Sequence, residues 1–206
     1  MIFVWIMRDV WKKYWKTVRE IRIMQIKKDN LVIRSAEVAD AEKLTNWWND
    51  GAVMAHAGFP NGLGQAVEET IEQIRRNETH LSQLCIMEID GVSVGEMSFY
   101  LTEEGVAEFG IKICESSYQN HGSGTQFIKM ILEYLFKDKT LNEEYLVEKV
   151  VLDTNLKNVR AQHVYEKIGF VRLRENHHAW KNQLGEWQDS VDYEMTRERY
   201  LSLIPQ

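Results

Sequence analysis

The stretch that decides the fold runs Val106-Ala107-Glu108-Phe109-Gly110-Ile111-Lys112-Ile113-Cys114, then Glu115-Ser116-Ser117-Tyr118-Gln119-Asn120-His121-Gly122-Ser123-Gly124-Thr125, and opens into Gln126-Phe127-Ile128-Lys129-Met130-Ile131-Leu132-Glu133-Tyr134-Leu135-Phe136. A strand over Val106–Cys114 passes through a glycine-bearing turn into an apolar helix from about Gly124 to Phe136. Such a turn aims several unpaired backbone amides at one point, and the helix dipole adds positive potential there, so the place suits a phosphate or pyrophosphate. Gly122 and Gly124 let an anion approach with no Cβ in the way. No Gly-Lys-Ser/Thr follows, which excludes a Walker loop, and two of the three glycines of the dinucleotide fingerprint are present. Taken by itself, the segment reads equally well as a plain turn.

Working outward, the residues after Asn30 mix strands and helices. Strands are expected at Leu31–Arg34, Leu84–Ile89, Ser93–Leu101, Lys149–Asp153, Phe170–Trp180 and Asp189–Thr196, with Asp90-Gly91 as a hairpin turn. Helices are expected at Ala39–Asn49, Ala66–Asn77 and Asn158–Ile168; Gly51–Gly64 reads as a loop and Asp138–Glu148 as a polar connector. The sum is an α/β (α+β) architecture, a central sheet of about seven strands with flanking helices.

The second informative segment is Val150-Val151-Leu152-Asp153-Thr154-Asn155-Leu156-Lys157-Asn158-Val159-Arg160-Ala161-Gln162-His163-Val164-Tyr165-Glu166-Lys167-Ile168-Gly169-Phe170. Together the two segments resemble the GNAT superfamily of acetyl-coenzyme-A-dependent N-acetyltransferases. Gln119, Gly122 and Gly124 fill its Gln/Arg-x-x-Gly-x-Gly/Ala pyrophosphate loop, and Asn158, Ala161, Tyr165, Gly169 and Phe170 fill its Asn-x-x-Ala-x-x-x-Tyr-x-x-x-Gly-Phe helix, in the family's order. The resemblance spans about Leu31 to Tyr200. Gly169–Arg174 and Gly185–Met195 are similar to the branch of ribosomal-protein N-terminal, spermidine and some aminoglycoside acetyltransferases.

The resemblance implies a mixed sheet in which the strand Val106–Cys114 and its neighbour splay apart around the pantetheine arm of acetyl-coenzyme A, with Ile113 and Cys114 facing the arm through their main chains. Loop residues Gln119, Asn120, His121, Gly122, Ser123, Gly124 and Thr125 then bind the pyrophosphate, and Asn158 orients the pantetheine or Tyr165. Because the family transfers acetyl directly, Cys114 is expected to be a small buried group and not a nucleophile. Tyr165 occupies the general-acid position and would protonate the departing sulfur, since a phenol of pKa about 10 keeps its proton at neutral pH. Glu108 matches the base position of histone-type members, reads equally as a solvent-facing strand residue, and has Glu96 or a water chain as alternatives. His177 and His178 read as structural or substrate-facing, and no carboxylate is placed to argue for a metal. The Gly51–Gly64 loop, with His56, Phe59 and Pro60, is where acceptor specificity is expected.

The charge of −6 is unevenly spread: residues 1–30 hold eight Lys/Arg against three Asp/Glu, and residues 31–206 hold 17 against 28. An acidic body disfavours nucleic acid and suits a cationic acceptor such as a polyamine, an aminoglycoside or a protein N-terminus. Two domains follow: a basic amphipathic helical extension over 1–30 and an acetyltransferase domain over 31–206. In the extension, Val4, Met7, Trp11, Trp15, Val18 and Ile21 share one helical face, suited to a membrane surface, a partner, the domain itself or a second copy in a homodimer. Met24 also reads as an ordinary start. No apolar run approaches the roughly 18 residues of a membrane span, and no secretory signal is legible. Cys85 and Cys114 are too few for a disulfide framework and lack zinc spacing. A cytoplasmic enzyme acetylating a small-molecule or peptide amine, without metal, is the expectation; the alternative is a non-catalytic coenzyme-A-binding module that docks through its N-terminal helix.

Overall fold

The computed structural model describes residues 24–76, 81–102 and 104–204. The strands are β1 (Gln25–Lys28), β2 (Leu31–Ser35), β3 (Ser82–Ile89), β4 (Val92–Leu101), β5 (Val106–Ile113), β6 (Lys149–Asn155), β7 (Val171–Lys181) and β8 (Trp187–Thr196). The helices are α1 (Ala41–Asn49), α2 (Gly51–Met54), α3 (Val67–Arg76), α4 (Ser123–Lys137), α5 (Lys139–Glu144), α6 (Val159–Ile168) and α7 (Arg197–Leu203).

The strands form one sheet in the order β1-β2-β3-β4-β5-β6-β8-β7. Every neighbouring pair is antiparallel except β5 and β6, which run parallel. The β3–β4 hairpin turns on Asp90 and Gly91, with φ of 52° and 77°, the two positive values that a tight primed turn requires and that Asp-Gly adopts readily.

Each face of the sheet has its own cover. On one side Met97, Phe99 and Leu101 of β4, Ala107 and Phe109 of β5, Val150 and Leu152 of β6 and Tyr193 of β8 pack beneath α4 and α6. Seven apolar side chains of α4, from Phe127 to Phe136, are buried there; at roughly 1.5–3 kcal/mol for each fully buried side chain this helix is a main anchor of the core. On the other side Leu84 and Ile86 of β3 lie under Leu44, Trp47 and Trp48 of α1 and Ile74 of α3. That second cover stops short of β4 and β5. Ser98, Tyr100, Glu108 and Gly110 alternate with core residues and face solvent, so the middle of the sheet keeps one open face.

The mixed sheet with flanking helices is the class expected from sequence, with differences of local origin. Among the described residues there are eight strands, because Gln25–Lys28, placed by sequence in the helical extension, is a strand paired with β2 from Gln25↔Arg34 to Lys28↔Leu31. It carries one apolar residue, Ile26, among polar ones, so its periodicity is silent. The amphipathic pattern from Val4 to Ile21 lies outside the described residues. The Gly51–Gly64 loop is helical in its first half, where Asp50 Oδ1 accepts from the Ala52 N–H at 2.7 Å and starts α2. Asp138 does the same for α5, accepting from the Leu141 N–H at 2.8 Å within the expected connector. The C-terminal α7, not anticipated, begins at Arg197, whose guanidinium donates to the carbonyls of Val147 at 2.7 Å and Phe136 at 2.9 Å and to Asn142 Oδ1.

Candidate active site

The parallel pair β5–β6 is short. It runs through Val106↔Lys149, Ala107↔Val150 and Glu108↔Val151 and then ends, although β5 continues along β4 to Ile113 and β6 along β8 to Asn155. The two strands therefore fork beyond Glu108 and Val151. Cys114 donates its N–H to the Val94 carbonyl at 2.9 Å, which makes 94 and 114 a hydrogen-bonded pair. Alternation along an antiparallel ladder then turns the N–H and C=O of Ile111 and Ile113 the other way, into the fork. The Ile113 carbonyl accepts from Gln119 Nε2 at 2.9 Å, leaving the Ile113 N–H and both polar groups of Ile111 directed into the gap. The Cys114 amide, expected to face the arm, is thus engaged by β4, and Ile111 is the residue with both main-chain groups turned toward the fork. The Cys114 side chain is buried and its thiol is pushed up to about 12, first by burial and then by the charge of Glu96, so it carries no thiolate at neutral pH.

The loop from Gln119 leads into α4. Gln119 acts through its side chain as the clasp on Ile113. Asn120 and Gly122 have φ of 66° and 81°, and no side chain caps the helix at Gly122. The first bond of the helical ladder runs from the Gln126 N–H to the Gly122 carbonyl at 3.3 Å, so the amides of Ser123, Gly124 and Thr125 precede it and project from the helix end. A Cβ built on Gly122 meets nothing within 4 Å, and one on Gly124 meets Ile113 Cγ1 at 3.8 Å; the space in front of these amides is open. Ser123 Oγ donates to the Tyr118 carbonyl at 3.1 Å, and His121 is exposed. Arg160, which sequence reasoning passed over, donates from Nη1 to Asn120 Oδ1 at 3.1 Å and brings a guanidinium to the edge of the loop. Its signal was its place two residues after Asn158, at the start of the helix facing the loop. Geometry and charge here fit the diphosphate of a nucleotide.

Asn158 caps α6, its Oδ1 accepting from the Ala161 N–H at 3.2 Å. About two helical turns beyond Asn158, Tyr165 is 8% exposed, with its ring edge-on to Phe170 at 5.9 Å and tilted to Tyr193 at 5.6 Å. Among the described residues its hydroxyl has no hydrogen-bond partner, and no fully enclosed side-chain oxygen among them lacks one. The hydroxyl therefore opens onto free space. The phenol is pushed up to about 12, first by burial and then by the negative charge of Asp153, so it holds its proton at neutral pH. Tyr193 differs: its hydroxyl donates to Glu166 Oε1 at 2.9 Å.

Carboxylates ring the open face. Glu108 is exposed at the closed end of the fork, without a cation bound to it. Glu96, 5% exposed, is held by Lys112 Nζ at 2.5 Å. Asp153, missed from sequence because it reads as an ordinary strand polar residue, lies on β6 two residues past the last β5 pair. His177 and His178 sit where β7 bulges against β8. The bulge breaks their alternation, so the His177 ring (3.2 Å) and the His178 N–H (2.8 Å) both meet the Asp189 carboxylate, and His178 packs edge-on to Trp187. Among the described residues no group of three or more His, Cys, Asp and Glu is disposed to hold a metal. The turn after β7 clasps the expected acceptor loop: Gln183 donates its N–H to the Gly58 carbonyl at 2.8 Å and Nε2 to the Gly62 carbonyl at 2.9 Å, and accepts from the Asn61 N–H at 3.0 Å.

The sheet thus forks at one parallel pair, with a glycine loop and an uncapped helix N-terminus beside the fork. The family model of the acetyltransferase (GNAT) domain matches residues 30–171, and the chain belongs to that family. Its fold is shared with the spermidine N-acetyltransferase from Vibrio cholerae in complex with CoA and spermine (21% identity, 84% of this chain and 99% of that one, TM-score 0.72). It is likewise similar to RimL, a ribosomal L7/L12 alpha-N-protein acetyltransferase solved with coenzyme A (15%, 85% and 99%, 0.74), and to a GNAT-family acetyltransferase from Bacillus anthracis (24%, 85% and 99%, 0.69). Two of these belong to the branches that the C-terminal segments resemble.

Proposed function

We propose that the protein transfers acetyl from acetyl-coenzyme A directly to the primary amine of a cationic acceptor. The observation that carries this reading is the unbonded hydroxyl of Tyr165, a protonated phenol within a core helix that reaches free space and senses the charge of Asp153 beside the fork. The loop amides and Arg160 receive the pyrophosphate, the fork-facing groups of Ile111 and Ile113 and the amide nitrogen of Asn158 hold the pantetheine, and Tyr165 gives the departing sulfur its proton. Cys114, buried and protonated, takes no part as a nucleophile.

The acidic open face supports a positively charged acceptor. An alkylamine has a pKa near 10.4 and arrives as ammonium, and Glu108, exposed at the closed end of the fork, attracts that charge. Relatives named for spermidine and for a ribosomal protein N-terminus suit this acceptor class. Thiol release and product mass, measured with spermidine, an aminoglycoside, a peptide with a free N-terminus and an uncharged aromatic amine, test it. Turnover with one or more of the cationic amines, and least with the aromatic amine, is expected. Tight coenzyme binding without turnover of any amine would favour the non-catalytic module.

A further inference from the structure

We infer that Asp153 is the carboxylate that takes the proton from the acceptor ammonium, working across the fork from Tyr165; the inference rests on the acetyltransfer reading above. Three observations of geometry converge on it. The β5–β6 ladder ends at Glu108↔Val151, and Asp153 follows two residues later on β6, so its side chain leaves the strand on the same face as Val151 and Glu108, where the partner strand has already departed. Leu152, its neighbour, is in the core under α6, the helix of Tyr165, so acid and carboxylate approach the gap from opposite sides of the sheet.

The third observation is its freedom. Apart from Glu108, the other acidic groups of the site are engaged: Asp192, its cross-strand partner on β8, by Arg174 at 2.7 Å and Asn176 at 2.7 Å; Glu194 by Lys149 at 2.9 Å; Glu96 by Lys112; Glu166 by the Tyr193 hydroxyl. Among the described residues Asp153 has no cation and no donor beyond its own backbone amide. The titratable groups it interacts with are Asp192 beside it on β8 and Tyr165 of α6 across the sheet, while Glu108 lies on its own face one step nearer the closed end. Partial burial first, and then the charge of Asp192, hold its carboxyl above the ordinary aspartate value, which moves it toward the basicity that proton abstraction needs. Glu108 has the same freedom and is exposed like Asp153, but it stands at the closed end, in the last β5–β6 pair, and is suited to drawing the cation in.

The protons balance. The ammonium gives one proton to Asp153, which returns it to water through its solvent-facing side. The freed lone pair forms the C–N bond at the thioester carbonyl; the C–S bond breaks, its electron pair stays on sulfur, and sulfur takes the Tyr165 proton. The acetylated nitrogen sheds its second proton, which restores the phenol.

The test compares wild type, Asp153→Asn, Asp153→Glu and Glu108→Gln in pH profiles of kcat/KM with spermidine and acetyl-coenzyme A, alongside thermal melting and the KM for acetyl-coenzyme A. Asp153→Asn is expected to lower kcat about 100-fold and to abolish the acid limb of the profile, with melting and the acetyl-coenzyme A KM unchanged. Asp153→Glu is expected to restore the limb, and Glu108→Gln to keep it while raising the amine KM. An Asp153→Asn enzyme within about twofold of wild type, with its acid limb intact, overturns the inference and leaves the transferase reading standing. A wild type that turns over none of the panel amines overturns both.

Discussion

Glu108 and Val151 are the last residues that β5 and β6 share; beyond them the sheet opens while each strand stays paired on its far side. Everything assigned to the site is arranged around that fork. Because the outward ladder of β5 is intact, the fork-facing N–H of Ile111 can be removed without touching the bonds to β4. Ile111→Pro is expected to leave the fold in place, as a proline whose missing donor faces an open edge is tolerated. It should weaken acetyl-coenzyme A binding by about one hydrogen bond, ~1 kcal/mol or roughly fivefold in Kd. Calorimetric titration together with circular dichroism checks this.

The guanidinium of Arg160 at the loop edge makes a second expectation specific. Arg160→Ala should raise the KM for acetyl-coenzyme A several-fold at low ionic strength and less at high salt, because exposed charges are screened within about 10 Å at 0.1 M. S-acetylpantetheine, which lacks the phosphates, should be used equally well by both enzymes. An equal loss with both donors would place Arg160 outside the phosphate site.

Stability at the far end of α4 depends on Arg197, whose bonds to the carbonyls of Val147 and Phe136 and to Asn142 join α7 to α4 and to the segment after α5. Replacing it by Met removes these charge-assisted bonds and takes the donor from the Val147 and Phe136 carbonyls, while Asn142 Oδ1 keeps the Val147 N–H at 3.1 Å. A loss of about 2–3 kcal/mol is expected from the desolvated groups left behind, read as a lower urea midpoint at unchanged slope.

Alkaline pH should unfold the protein early. Cys85 and Cys114 have raised thiol values and Tyr165 a raised phenol, each with burial as the first cause. In the unfolded chain these groups ionise near their ordinary values of about 8.5 and 10, whereas the folded chain holds them neutral. Their contribution is therefore fully present below about pH 8.5 and is lost as pH rises from there toward 12. Urea midpoints at pH 7.5, 9 and 10.5 should fall in that order, and the Cys85→Ser, Cys114→Ser pair should fall less steeply.

The sequence made the centre of this molecule legible and its edges less so. The loop from Gln119 to Gly124 and the helix from Asn158 to Gly169 are written in residue types that their geometry demands: glycines where amides must be bare and a side chain that caps. Gln25–Lys28 escaped notice because an edge strand with one apolar residue has no alternation to read, and α2 and α5 because their caps, Asp50 and Asp138, act over too few residues to show a helical period. Asp153 and Arg160 were hidden for another reason. A strand carboxylate and a helix cation look like surface residues until the register shows which edge is open and the fold shows which loop lies opposite.

The proposed transfer depends on the hydroxyl of Tyr165 as the proton donor to sulfur. Its direct test is the rate of thiol release from acetyl-coenzyme A by wild type and Tyr165→Phe, with the cationic amine that wild type uses fastest, beside the Kd for acetyl-coenzyme A. Loss of the hydroxyl is expected to lower kcat at least 100-fold with the Kd unchanged, because the ring keeps its packing against Phe170 and Tyr193. Equal kcat in the two enzymes would contradict it.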